Sequence, residues 1–215
     1  MLLADELFLV ACPDRSGRVR VHPRALGFGL AGALLAELVL FGNVKVAHGA
    51  VLVVDEYPPT DSLAHRVLDL LVSQSQHRDV ATWLEFLGTS AVADVGQRLQ
   101  RHGLAREVTY RRLLATRKVW LPTDSEEALA PGLRLAYRLS RPPPADGAVV
   151  LSFPDSMLAC LVDLLGLAGH VFWNPDWRPA ARAHLDRTRG ALPTDLAELY
   201  DAVDRAVHGR VGVSH

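Results

Sequence analysis

The sequence predicts a mostly α-helical protein: a single helical domain over residues 1–215, around a central apolar helix, with two small β-hairpins, one of them protruding. Three observations carry that expectation. The run Arg24 to Phe41, R-A-L-G-F-G-L-A-G-A-L-L-A-E-L-V-L-F, holds one ionisable side chain after its first residue, Glu37. Apolar residues elsewhere recur three and four apart, the spacing of one helix face. Two short β-prone pairs, around His48-Gly49 and around residues 111–116, interrupt the helical pattern.

The elements follow in order. Leu3, Leu7 and Val10 give a short N-terminal helix over Leu2 to Val10. Pro13 to Gly17 reads as a turn, and Arg18 to Val21 alternates like a short strand. In the central run, Leu26, Leu30, Leu34 and Leu38 line one face, while Ala31, Leu35 and Val39 make the opposite face apolar too. A helix apolar all round is a membrane span or the centre of a larger domain. This one is a little short for a span, which needs about 20 apolar residues, and it contains Gly27, Gly29 and Gly32. It is read as a buried central helix whose glycines admit close neighbours. Glu37 then requires a buried cationic or hydrogen-bonding partner.

Gly42-Asn43 ends that helix, and Val44–Val46 with Val51–Val54 form the first hairpin. Asp61 caps a helix bearing Leu63, Val67, Leu70 and Leu71. Further helices run over Asp79 to Leu87 and Ser90 to Arg101, the latter stopped by Gly103. Leu104–Tyr110 and Arg117–Leu121 pair as the second hairpin. Ser125 to Leu139 is helical and is expected to break or kink near Pro131. Arg141 to Gly147 is a stiff proline-rich connector. Ser152 and Asp155 form a capping box before the next helix. After a turn at Phe172–Pro175, helices over Asp176–Arg189 and Asp195–Val207 finish the chain.

A net charge of −1 excludes a strong whole-molecule field for nucleic acid or membrane. The distribution is uneven, however. Residues 98–118 hold seven Lys/Arg and one acid, Glu107, leaving 16 basic and 23 acidic residues elsewhere. Two distant cysteines, Cys12 and Cys160, make neither a disulfide framework nor a metal cluster. The N-terminus has no basic region ahead of its apolar stretch, so no signal peptide is expected and the protein is placed in the cytoplasm, peripheral at a membrane surface. Nine scattered histidines form no ligand pair at helical spacing. Gly27-Phe28-Gly29-Leu30-Ala31-Gly32 brings its third glycine one residue too early for a dinucleotide loop. No catalytic residue, metal site or cofactor is expected.

The basic hairpin is the sharper feature. Leu113 and Leu114 at its tip would enter the acyl–headgroup boundary while Arg111, Arg112, Arg117 and Lys118 meet anionic headgroups. A winged-helix reading uses the same residues to grip DNA phosphates. Its weakness is the preceding helix, whose Ala91-Val92-Ala93-Asp94-Val95-Gly96 offers few base-reading groups. Nucleic acid is the less favoured partner.

Three segments resemble the Golgi phosphoprotein 3 family, in its actinobacterial branch: L-L-A-D-E-L-F-L-V at Leu2–Val10, G-L-A-G-A-L-L-A-E-L-V-L-F-G at Gly29–Gly42, and R-L-Q-R-H-G-L-A at Arg98–Ala105 with the hairpin after it. The resemblance implies a non-enzymatic helical domain with a protruding hydrophobic hairpin. It also implies a cytosolic peripheral protein that binds phosphatidylinositol 4-phosphate and holds the cytoplasmic tails of membrane proteins. The eukaryotic members' headgroup pocket of one Trp and three Arg falls on His22, Ala31, Thr89 and Val92, so none of its residues is kept. The headgroup-binding set expected here is His22, Arg24, Arg98, Arg101, Arg111, Arg112, Arg117 and Lys118, with Leu113 and Leu114 inserting. Anionic membrane lipid is the expected partner, and a homo-oligomer is compatible with the sequence.

Overall fold

The computed structural model describes residues 1–12, 19–112, 115–140 and 151–209, with residues 111, 112 and 115–117 described by backbone alone. The expected turn at 13–17, the hairpin tip at Leu113-Leu114, the connector at 141–147 and the last few residues lie outside the described residues.

The protein is mostly helical, with two separate two-stranded antiparallel sheets. Helix α1 (Leu3–Ala11) leads to the central helix α2 (Pro23–Phe41). Strands β1 (Val44–Ala47) and β2 (Ala50–Val53) form the first hairpin, with His48 at φ 53° and Gly49 at φ 74° in its turn. Helices α3 (Ser62–Ser73), α4 (Val80–Gly88) and α5 (Ala91–Arg101) follow. Strands β3 (Ala105–Arg112) and β4 (Ala115–Pro122) form the second hairpin. Helices α6 (Ser125–Leu139), α7 (Phe153–Leu164), α8 (Ala168–Val171), α9 (Arg178–Gly190) and α10 (Thr194–His208) complete the chain, with a single 3-10 turn at Pro175–Trp177.

Helix α2 is long and apolar enough to cross a membrane, yet every residue from Leu26 to Leu38 is buried within the protein. The helices α1, α3, α4, α5, α7 and α10 all pack on it. Its glycines set the approach of three of these neighbours. A methyl group on Gly27 would lie 2.5 Å from the Gly88 carbonyl oxygen at the end of α4. One on Gly29 would meet Leu165, and one on Gly32 would meet Val203 of α10. Gly42, at φ 83°, ends α2 with its N–H returned to the Leu38 and Val39 carbonyls, a conformation that costs glycine least.

One expectation about local structure needs correction, and another is narrowed. Val19 to Val21 is not a strand: the Arg20 N–H bonds the Ala11 carbonyl at 3.1 Å, and the segment drapes against the core with no partner strand. Helix α6 runs through Pro131 without a break. The carbonyl that Pro131 leaves without an N–H donor is that of Glu127, which is exposed and open to water. Helix α8, four residues long, is too short to show a helical spacing in the sequence.

Candidate membrane-facing surface

The second hairpin is the element that sequence reading singled out. Its register pairs Ala105 with Pro122 at the root and Arg112 with Ala115 at the outer end. The strands therefore run further than the sequence implied, through all of residues 111–116 except the two-residue tip. The root is anchored by Trp120, whose ring occupies the space a side chain on Gly96 would need. Ala105, Trp120 and Leu121 are buried, whereas Thr109, Tyr110 and Lys118 are exposed.

The anchor also fixes the direction. Gly96 lies half-way back along α5 from the point where β3 begins, and both strands pack on that helix. The hairpin thus doubles back along α5 toward its N-terminal end. Eight strand residues span about 26 Å, while the eleven residues of α5 span about 16 Å. The outer residues, from Thr109 and Lys118 onward, are the part of the hairpin farthest from its packed root.

Helices α2 and α5 run in the same direction. Near their starts, Gly27 touches the α4 terminus that leads into α5; further along, Glu37 meets Arg98. The N-terminal end of α2 consequently lies at the hairpin-tip end of the molecule. His22 is the N-cap there, its Nδ1 accepting from the Arg24 N–H at 3.3 Å. The Arg24 guanidinium stands 5.4 Å from the centre of the Phe28 ring and 3.8 Å from Glu85, with both charged groups about half exposed. A wide cleft of about 620 Å³ opens beside this end, with Arg20, His22, Arg182, Arg189 and His208 among its walls.

The remaining cations divide. Arg98 was expected at lipid headgroups, and its position corrects that assignment. It is fully buried. Its Nε donates to Asp5 at 2.7 Å, its Nη1 to Glu37 at 2.9 Å and to Asp61 at 3.1 Å, and its Nη2 to Glu37 at 3.0 Å. Four of its five N–H groups are committed to three carboxylates and the side chain is fully buried, so it is out of reach of a lipid headgroup. Glu37 also accepts from the Ala4 N–H at 2.8 Å, so the cluster pins α1, α2, α5 and the cap of α3 together. Burial keeps the carboxyl groups of Asp5 and Glu37 above their ordinary pKa, with the facing guanidinium opposing it; Arg98 itself is held more firmly protonated by its carboxylate partners.

Arg101 stands near the C-terminal end of α5, away from the hairpin tip, and its Nη1 donates to Ser62 Oγ at 2.6 Å. Lys118 is exposed on the hairpin, but its Nζ lies 2.8 Å from Glu107, the one acid of the basic segment. The backbone of Arg111, Arg112 and Arg117 belongs to the outer end of the hairpin. Of the positions matching the eukaryotic pocket, Ala31 is buried, Val92 is half-buried, and the Thr89 hydroxyl donates to the Phe86 carbonyl at 2.7 Å.

What reasoning from the sequence missed was a pairing. It required a partner for Glu37 and placed Arg98 on the surface because Arg98 opens a cationic run. The signal was present in α5 itself: Val95 and Leu99 mark its inward face, and Arg98 lies between them. Helix α5 is packed by α1, α2, α3, α4 and the hairpin, and keeps Gln97, Gln100 and Arg101 exposed. Among the described residues no group of three or more His, Cys, Asp or Glu is placed to hold a metal ion.

A family model described as Golgi phosphoprotein 3 matches residues 3–208, nearly the whole chain. No curated protein matches it.

Proposed function

The chain belongs to the Golgi phosphoprotein 3 family, and from that premise we propose that it is a non-enzymatic peripheral membrane protein of the cytoplasm. It binds anionic lipid headgroups, of the phosphatidylinositol 4-phosphate kind, through the second hairpin and the adjoining start of α2. What supports the reading is the register that gathers cations at the outer end of the hairpin, with His22 and Arg24 at the start of α2. Arg111, Arg112 and Arg117 belong to that outer end by register. The working set is therefore His22, Arg24, Arg111, Arg112, Arg117 and Lys118 for headgroups, with Leu113 and Leu114 entering the bilayer. Arg98 leaves the set because it is buried, and Arg101 because it is at the other end.

The magnitudes suit reversible attachment. A cation near an anionic leaflet contributes about 1 kcal/mol, and a fully buried leucine side chain about 1.5–3 kcal/mol. Once docked, the protein would act as an adaptor holding cytoplasmic tails of membrane proteins. Liposome co-sedimentation tests the reading. Binding should require anionic lipid, should strengthen with phosphatidylinositol 4-phosphate, and should be lost in the Leu113→Asp/Leu114→Asp variant. Equal binding to neutral vesicles, or an unaffected double variant, contradicts it.

A further inference from the structure

The segment from Phe172 to Arg178, F-W-N-P-D-W-R, presents two indoles side by side. Trp173 is 62% exposed, whereas a side chain of its size is highly buried on average. Trp177 is half-buried against the core, and its ring stands edge-on to that of Trp173 with centres 5.0 Å apart. The backbone beneath them is tied down. Phe172 is buried, the Asn174 side chain accepts from the Asp176 N–H at 3.0 Å, and the Arg178 Nε donates to the Phe172 carbonyl at 3.4 Å. Pro175 fixes one more backbone angle. The exposed ring is therefore held out by a braced loop.

Both ends of this loop lead to the start of α2. Val171, two residues before Trp173, lies beside Val10 near the end of α1: a methyl group on Gly132 would meet both, at 3.9 and 4.0 Å. The carbonyl of the next residue, Ala11, accepts from the Arg20 N–H, and Arg20 leads into α2. On the other side, Arg182 of α9 stands one turn after Arg178 and lines the same cleft as Arg20 and His22. The two indoles thus belong to the hairpin-tip end of the molecule. The exposed cations Arg20, Arg24 and Arg178 share that end. Asp176 is the one acid between Trp173 and Trp177, and the nearby Asp163 and Asp186 are each 3.5 Å from Arg182.

The chemistry of the loop names its partner. An indole joins an apolar body to an N–H donor, which suits the boundary between acyl chains and headgroups and enriches tryptophan there. Arginines beside it meet anionic headgroups. We propose that the Trp173–Trp177 loop is a second membrane contact, an interfacial anchor that docks together with the hairpin and fixes the tilt of the protein on an anionic bilayer. The inference rests on the lipid reading above. Two contacts on one rigid body reinforce each other, because the second forms at high effective concentration once the first is made.

Vesicles of phosphatidylcholine and phosphatidylserine, with the full chain, test it. Trp173→Ala should lower affinity roughly ten-fold; Trp173 is exposed, so the fold should survive, as far-UV circular dichroism would verify. Tyr57→Ala is the control. Tyr57 is 78% exposed, but its carbonyl is held by Asn43 just past the other end of α2, so affinity should not change. Lipid brominated near the headgroup end of its acyl chains should quench tryptophan emission, and less so in Trp173→Phe, because Trp83 and Trp120 are buried. Full binding by Trp173→Ala, with wild-type emission unquenched, overturns the anchor and leaves the hairpin reading standing. Loss in Trp173→Ala without loss in Leu113→Asp/Leu114→Asp keeps the anchor and removes the hairpin. A wild type that ignores anionic vesicles removes both. Emission that shifts with protein concentration in lipid-free buffer, and not with lipid, gives the ring to a second copy and overturns the anchor as well.

Discussion

Glu37 and Arg98, 61 positions apart in the chain, face each other end-on inside the core, joined by two hydrogen bonds of 2.9 and 3.0 Å. The carboxylate sits on the central helix and the guanidinium on the helix from which the hairpin departs. This pair couples the body of the protein to the surface proposed to meet a membrane.

Removing the cation should be severe. In Arg98→Met, the carboxyl groups of Asp5 and Glu37 stay buried without their counter-charge, a loss of about 3–5 kcal/mol. Urea denaturation should show a midpoint shift of that size. A loss below about 1 kcal/mol, the scale of an exposed pair, would mean that the cluster is not structural.

The same cluster sets a pH dependence. The folded protein holds the protons of Asp5 and Glu37 to higher pH than the unfolded chain does, because burial outweighs the attraction of Arg98. A group whose pKa rises on folding adds stability below its unfolded pKa and loses it as pH climbs through the folded value. These two groups therefore weaken the fold as pH rises from about 4. The slope of unfolding free energy against pH above that point should differ between wild type and Asp5→Asn/Glu37→Gln in that direction. Parallel profiles would count against it.

Gly96→Ala addresses the hairpin without altering any cation. The added methyl would stand 2.6 Å from Cγ of Trp120 and 2.8 Å from its Cε3. Overpacking of this sort costs about 1–3 kcal/mol, and here it should tilt the hairpin from its seat on α5. The expected result is a shift in tryptophan emission together with weaker liposome binding. Unchanged binding in a folded variant would separate the hairpin's angle from its role.

Two charge reversals test the polarity of the surface. Arg24→Glu, at the hairpin-tip end, should lower affinity for anionic vesicles roughly ten-fold or more, on the scale of about 1 kcal/mol per unit charge. Arg101→Glu, at the other end, should leave it unchanged. Equal effects would mean that bulk charge governs binding.

The helical plan was legible because it rests on local signals. The Asp61 cap, Gly42, Gly103 and the Ser152 cap are each confined to a few residues, and the structure has them where the spacing put them, although the Asp155 carboxylate takes the Ser152 hydroxyl and does not close a capping box. The glycines of α2 were readable as packing residues, although which neighbour met each one was not. The errors involve distance along the chain. Arg98 looked like its cationic neighbours, and only the fold brings Asp5 and Asp61 to it. Arg101 and Arg24 looked equivalent until the parallel course of α2 and α5 put them at opposite ends.

Helix α2 carries its contacts at fixed points along and around its axis: a notch for α4 at Gly27, one for Leu165 at Gly29, one for α10 at Gly32, and then the acid at Glu37. One residue inserted between Gly32 and Glu37 would swing the carboxylate about 100° around the axis. The notches would stay filled while Arg98 lost its principal acceptor. Deletions and insertions should therefore be far less tolerated in α2 than substitutions among its leucines, so the length of this rod is as much a part of its specification as its composition.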